Sequence, residues 1–157
     1  MMDLRYIAGL FDGEGFITMR IQRYRDTRWP DNRKIQRRMV LNAGINMTDP
    51  RSIRQIAAEH NGYFKPYRKP AKPTHRPLHC WIVCNEKAAA FLEKIVPYLI
   101  IKKEEAVLAL AYQNYMRERR GKNARGKAVS EEEWTYRETI IAEMRRLKHV
   151  SYPVEPQ

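Results

Sequence analysis

Cysteine is scarce: Cys80 and Cys84 are the only two in 157 residues, too few for a disulfide framework. No apolar run approaches the roughly 18 residues that a membrane-spanning helix needs. Residues 1–10 carry no basic segment followed by an apolar stretch, so no secretory leader is expected and an intracellular, membrane-free protein is. Acidic residues are few as well. Against 30 Lys and Arg there are 18 Asp and Glu, which leaves a formal net charge of +12. A field of that sign draws polyanions, nucleic acid first among them, although a merely soluble basic protein would share it.

What is present is globular. Hydrophobic residues make up 43% and aromatics 10%, enough to bury a core without staples. The charge is uneven. Residues 16–78 hold 15 basic and 4 acidic side chains, a net of +11, whereas residues 86–157 hold 14 and 11, a net of +3. One face built for phosphates, with another turned to water or protein, is the expected outcome.

Periodicity then sets the elements. Asp3 can cap a short apolar helix over 4–11, and Gly13 and Gly15 break it before an alternating strand over 16–24. Residues 25–33 read as a hairpin loop, and 34–47 as a second strand with one apolar and one polar side. A helix over 50–60, capped by Thr48 or Asp49 and stopped at Asn61-Gly62, leads to strands over 63–67 and 78–84. A helix over 86–99 carries Ala88, Phe91, Leu92 and Ile95 on one side, and another spans about 102–119. Ser130, with Glu133 three residues on, opens a last helix whose stripe is Ile140, Met144 and Leu147. The predicted class is α+β: a curved antiparallel sheet with helices on one face. The core domain covers 1–119, a basic linker 120–129, and a C-terminal helical extension and tail 130–157.

One segment breaks the local rules. Asp12 and Glu14 sit at the C-terminal end of a helix, where the macrodipole already places negative charge. Such violations concentrate at functional sites, and a bound cation would reverse the penalty. Oxygen ligands with no His or Cys nearby suit Mg²⁺ rather than zinc. Gly9 and Gly13, four apart, strip one helix face bare, so that a second helix can approach it backbone to backbone. If that helix belongs to an identical subunit, two Glu14 carboxylates meet at the symmetry axis, an arrangement suited to metal-assisted phosphodiester hydrolysis.

The stretch Ile7-Ala8-Gly9-Leu10-Phe11-Asp12-Gly13-Glu14-Gly15 resembles the LAGLIDADG motif of homing endonucleases. The αββαββα order of that family is similar to the one read here from residue 4 to about 110. The resemblance implies a groove-binding saddle and a cleavage site in which Glu14 and the Gly13 carbonyl hold the metal. Glu14 replaces the commoner Asp, adding one methylene. Asp12 takes a more structural role, and Ala8, Gly9, Phe11, Asp12 and Gly13 form a dimer interface. Asp49 falls where a polar side chain touches the catalytic water network. Lys102 falls where a lysine stabilises charge near the reacting phosphate; without the resemblance it is equally a solvated helix start. Mg²⁺ is the implied cofactor, with Mn²⁺ able to substitute and Ca²⁺ binding without cleavage. A single motif copy implies a homodimer and a pseudo-palindromic double-stranded DNA target. The compartment is that of the host genome, a bacterial or archaeal cytoplasm or an organelle.

Alternation assigns the DNA-reading side chains: Thr18, Arg20, Gln22 and Tyr24 on the first strand, Arg38, Asn42 and Asn46 on the second. Lys65 and Tyr67 follow on the third, His79 and Trp81 on the fourth. Lys34, Arg68 and Lys69 are expected to meet only phosphates. Two decoys are set aside. A zinc set of His75, His79, Cys80 and Cys84 fails because Cys80 and Ile82 are expected to face the core. The spacing Gly121 to Lys127 imitates a phosphate loop, but Ala128 replaces the required hydroxyl and a helix precedes it instead of a strand. Two other functions fit the same scaffold: an intron-RNA maturase, and a DNA-binding regulator that no longer cuts.

Overall fold

A computed structural model of the chain describes residues 1–25, 35–68, 76–122 and 129–149. The elements run α1 (Leu4–Glu14), β1 (Gly15–Arg25), β2 (Ile35–Met47), α2 (Arg51–His60), β3 (Tyr63–Arg68) and β4 (Leu78–Cys84). They continue with α3 (Glu86–Ile95), a 3₁₀ turn (Val96–Tyr98), α4 (Lys103–Lys122) and α5 (Glu131–Lys148). This is the expected α+β order. The first, third and fourth helices differ at their ends: α1 runs on to Glu14, α3 gives way to the 3₁₀ turn around Pro97, and α4 continues through 120–122. The expected hairpin loop, most of the Pro-rich loop and residues 123–128 lie outside the described residues.

The four strands form one antiparallel sheet in the order β1-β2-β4-β3. Register decides which side chains share a face, because paired residues point the same way. Ile17, Met19, Leu41, Ala43, Ile45, Trp81 and Val83 point into the helical layer and are buried there. Phe16, Thr18, Arg20, Gln22 and Tyr24 point the other way, beside Arg38, Asn42, Asn46, Cys80, Ile82 and Lys65. One face is packed and the other is left open, as antiparallel sheets allow.

Strand β4 is in the opposite phase to the one its sequence suggests. Trp81 is fully buried and His79 lies on its side of the sheet, stacked on Phe64 at 6.2 Å. Neither is therefore available on the open face, where Cys80 and Ile82 stand instead. The cause is Trp81 itself. Its ring meets Phe91 edge-on at 4.8 Å and its indole N–H donates to the Asn61 carbonyl at 2.6 Å. A large aromatic with a satisfied polar edge gains more from the core than Cys80 or Ile82 would. Gly62, at φ +102°, passes so close that a Cβ there would lie 2.6 Å from the indole nitrogen. Gly44, across the sheet, is held likewise: its Cβ would lie 2.4 Å from the Trp81 carbonyl.

Helix α5 buries only one member of the expected stripe, Met144. Glu133, Trp134, Arg137, Ile141 and Met144 are its buried positions, while Ile140 and Leu147 are only partly covered. Ile141 and Met144 join the same core as α1 and the sheet, so α5 packs as part of the domain. Two guanidiniums lie over the Trp134 ring, Arg37 at 4.6 Å and Arg137 at 4.7 Å from its centre. Ser130 accepts from the Glu133 amide at 3.2 Å, but the Glu133 carboxylate turns inward to Arg137 and Tyr115 and does not close a capping box.

Replacing Trp81 by Ala is expected to cost about 3–5 kcal/mol of stability, since the site is packed on all sides. Urea unfolding of the variant checks this; a loss under about 1 kcal/mol would contradict the placement of the ring.

Candidate nucleic-acid interface and acidic centre

The end of α1 is held by a reciprocal pair of contacts. Asp12 points away from its own helix and accepts the Ile100 and Lys102 backbone N–H groups at 2.7 and 2.9 Å. Lys102 is the residue whose carbonyl receives the first bond of α4, from Ala106 at 3.0 Å. Asp12, at the unfavourable end of α1, is thus at the favourable end of α4, where free N–H groups and the dipole welcome a carboxylate. The exchange is returned by the Lys102 ammonium, which donates to the Asp12 carbonyl at the C-terminus of α1. Each helix places a charge on the other's terminus.

That accounts for one of the two misplaced acids and leaves the other. Glu14 is exposed, and among the described residues its carboxylate has no hydrogen-bond or ionic partner. Gly15 closes the helix by donating to the Phe11 carbonyl. A Cβ at Gly15 would lie 2.4 Å from that oxygen, so only glycine lets the chain turn there from helix into strand. The turn delivers Gly13 and Glu14 to the surface beside Lys102.

Gly9 and Gly13 are exposed, and a Cβ at either would meet nothing within 4 Å. Within one chain no packing demands glycine at these positions. Around them lies apolar surface: Tyr6 is 52% exposed, Ile101 64% and Ile100 85%, with Tyr98 nearby under Arg5. Ala8, Phe11 and Asp12 do not belong to this surface. Ala8 and Phe11 are fully buried and Asp12 is 8% exposed, all three spent inside the monomer, so they leave the expected interface set.

The open sheet face carries polar side chains already joined to each other. Arg38 donates through Nε and Nη2 to Gln22 Oε1, at 3.1 and 2.9 Å, and lies 5.1 Å over the Tyr24 ring. The Tyr24 hydroxyl in turn donates to Gln36 Oε1 at 2.9 Å. Gln36 is a member that sequence reasoning missed; the Tyr24–Gln36 pairing becomes readable only once the hairpin register is known. Arg20 and Lys65 are exposed, and Thr18 and Asn46 are partly exposed. Asn42 shares the face but at 5% exposure offers a groove almost nothing, because it is enclosed between Thr18 and Cys84 on the neighbouring strands. Tyr67 and Arg68 lie on β3, whose backbone alone is described there, and Lys34 and Lys69 fall outside the described residues.

Asp49 lies beyond the end of β2. Its carboxylate is held by Arg51, at 2.5 Å from Nη2 and 3.0 Å from Nε, and it accepts the Arg51 amide at 3.0 Å. The side-chain bond from Arg51, followed by the backbone one, lowers its pKa to about 2. Register brings a different polar residue next to the acidic turn: Gly15 pairs with Ile45, and Asn46 follows it on the open face.

No family model matches the sequence, and no curated protein matches it. Solved structures do match. The archaeal intron-encoded homing endonuclease I-Vdi141I, solved with DNA, aligns at TM-score 0.64 and 16% identity over 95% of this chain and 86% of its own. The homing endonuclease I-CvuI, in complex with its target in the presence of Ca, aligns at 0.54 and 16% identity over 94% and 96%. The LAGLIDADG homing endonuclease I-GzeII, with its DNA target, aligns at 0.64 and 14% identity over all of this chain and 53% of its own. The fold of this chain is the LAGLIDADG homing-endonuclease fold.

Two outcomes follow from the geometry. Asp12→Ala is expected to lose about 2–3 kcal/mol in chemical denaturation, because the N–H groups of Ile100 and of Lys102, at the start of α4, lose a charged acceptor. Titrating the Asp49 carboxyl by NMR is expected to give a midpoint near 2. Its folded pKa is depressed, so its contribution is present above the ordinary carboxylate range and is lost as pH falls toward 2. A midpoint at the ordinary 3.8 would show the Arg51 contact absent in solution.

Proposed function

We propose that this chain, whose fold is that of the LAGLIDADG homing endonucleases, is itself a site-specific DNA endonuclease acting as a homodimer on a long pseudo-palindromic duplex. The observation that carries this reading is Glu14, which has no partner among the described residues. Once Asp12 is explained by α4, Glu14 is the one acid left against the dipole of α1, exposed, at the end of a basic open sheet. An unsatisfied carboxylate at a helix C-terminus costs stability and makes sense beside a cation.

The donor set suits a hard divalent ion. Among the described residues no three His, Cys, Asp or Glu side chains come together. Glu14 and the Gly13 carbonyl would hold Mg²⁺, a metal that typically takes one or two carboxylates with phosphates and waters for the rest. When bound, it would supply Lewis-acid stabilisation and an activated water at the scissile phosphate. I-CvuI has been solved with DNA in the presence of Ca and, with the DNA not cleaved, in the presence of Mg. Lys102 sets a fixed positive charge beside the same turn, where it counters charge developing on the phosphate. Asn46 takes the polar position on β2 expected of Asp49, whose carboxylate Arg51 already holds.

Dimerisation completes the site. The bare Gly9–Gly13 face admits a second copy of α1, and the exposed Tyr6, Tyr98, Ile100 and Ile101 supply apolar area around it. Two-fold symmetry then brings two Glu14 carboxylates together and sets two sheets along one duplex. Thr18, Arg20, Gln22, Tyr24, Arg38, Asn46 and Lys65 form the reading set, with Gln36 added. The Arg38–Gln22 and Tyr24–Gln36 bonds hold several of these in place before DNA arrives. Contacts from Arg to guanine and from Gln or Asn to adenine suit this composition.

Selection of a randomised duplex library by cutting, with Mg²⁺, Ca²⁺ and Glu14→Gln arms, tests the proposal. The expected result is one long pseudo-palindromic site, cut with Mg²⁺ and left intact by Ca²⁺. Glu14→Gln is expected to lower cleavage at least ~100-fold while binding is kept. Selective retention without cutting would point to a regulator and reject the nuclease. Arg20→Ala is expected to cost about 1–3 kcal/mol in binding or to relax one base position. Unchanged affinity and site preference at fixed salt would remove Arg20 from the reading set.

A further inference from the structure

Two lysines distant in sequence donate to main-chain carbonyls on either side of the acidic turn. Lys102 Nζ donates to the Asp12 carbonyl, and Lys148 Nζ, at the last residue of α5, donates to the Ile17 carbonyl. Residues 13–16 lie between those two carbonyls, and they include both residues assigned above to hold metal. A third group faces the pair. Glu105, in the first turn of α4, has Oε2 3.9 Å from Lys148 Nζ, and its side chain is only 13% exposed. That oxygen is buried with no hydrogen bond. Burial raises the carboxyl pKa, and the Lys148 and Lys102 charges offset only part of that rise.

A buried carboxylate without a hydrogen bond is costly unless nearby charge compensates it. Two ammoniums from different elements offset part of that cost here, and in return the carboxylate lets both stand close to the same turn. The turn has need of support. Strand β1 is an edge strand with a neighbour on one side only, and Glu14 itself is tied to nothing among the described residues. Its carboxylate can be fixed only through its backbone, which the two lysine bonds hold at both ends. Lys148 reaches Ile17 because Trp134, Ile141 and Met144 seat α5 on the domain.

We propose that Lys148 and Glu105 are positioning residues for cleavage: with Lys102 they clamp the backbone on both sides of Gly13 and Glu14, and they make α5 part of the cutting machinery. The functional half of this inference rests on the nuclease reading above; the clamp itself does not.

The test uses the full chain with Lys148→Met, Lys148→Arg and Glu105→Gln. Two quantities are measured: amide hydrogen exchange at residues 13–17 against 81–83 in β4, and single-turnover cleavage of pre-bound target alongside DNA affinity. Lys148→Met is expected to speed exchange at 13–17 by ~10-fold while β4 is unchanged. It is also expected to slow cleavage ~10-fold with affinity kept, and Lys148→Arg to restore both within about 2-fold. Should Lys148→Met fail to fold, Glu105→Gln, which keeps its volume, carries the test, with a local acceleration of ~3-fold expected. Unchanged exchange, acceleration spread evenly over the sheet, or no recovery with Lys148→Arg would overturn the clamp. Wild-type protein that cuts no DNA would refute the nuclease reading instead, and the exchange data would then decide the clamp alone.

Discussion

The arrangement depends on one exchange of charges between two helix ends. Asp12 leaves the C-terminus of α1 to cap the N-terminus of α4, and Lys102 leaves the N-terminus of α4 to bond the C-terminus of α1. Each group would be misplaced on its own helix and is well placed on the other's. The exchange fixes where α1 stops relative to everything packed behind it. That stop fixes Gly15, the start of β1, and through the β1–β2 register the whole open face of the sheet.

From that anchor the two halves of the molecule take different tasks. The packed face of the sheet spends its large apolar residues, with Phe11, Trp81 and Phe91 in edge-on contact. The open face spends polar ones that bond each other sideways, as Arg38 does to Gln22. A side chain held sideways before a ligand arrives has less rotamer freedom left to lose on binding. At the rim between the two faces stands the acidic turn, supported by lysine contacts to its backbone on both sides, with its own carboxylate unpaired among the described residues.

Much of this was legible from the amino acids because the informative residues are chemically unusual for their position. Glycines at 9 and 13 and acids at 12 and 14 stand out in any helix, and the alternation in β1 and β2 is clean enough to set the faces. Strand β4 was not legible. In Leu78-His79-Cys80-Trp81-Ile82-Val83-Cys84 both faces are apolar, so periodicity cannot choose between them, and the size of Trp81 and its bond to Asn61 decide. Asp12 was half legible: its misplacement is local, but its explanation comes from a helix 90 residues away. Membership of the motif points Ala8 and Phe11 to an interface, whereas a helix packed on one side has only its other side to share. Glu105 and Lys148 look like ordinary helix charges, and only the tertiary fold brings Lys148 to Ile17, 131 residues distant.

The inverted phase of β4 carries one more consequence. It turns both thiols of the chain, Cys80 and Cys84, onto the open face of the sheet. They differ in reactivity: Cys84 is exposed, whereas Cys80 is partly buried and burial raises its thiol pKa, lowering its thiolate fraction. Alkylation would therefore label Cys84 first and Cys80 slowly. Any macromolecule lying along the sheet would shield both sulfurs, so the molecule carries a built-in chemical footprint of that surface's occupancy.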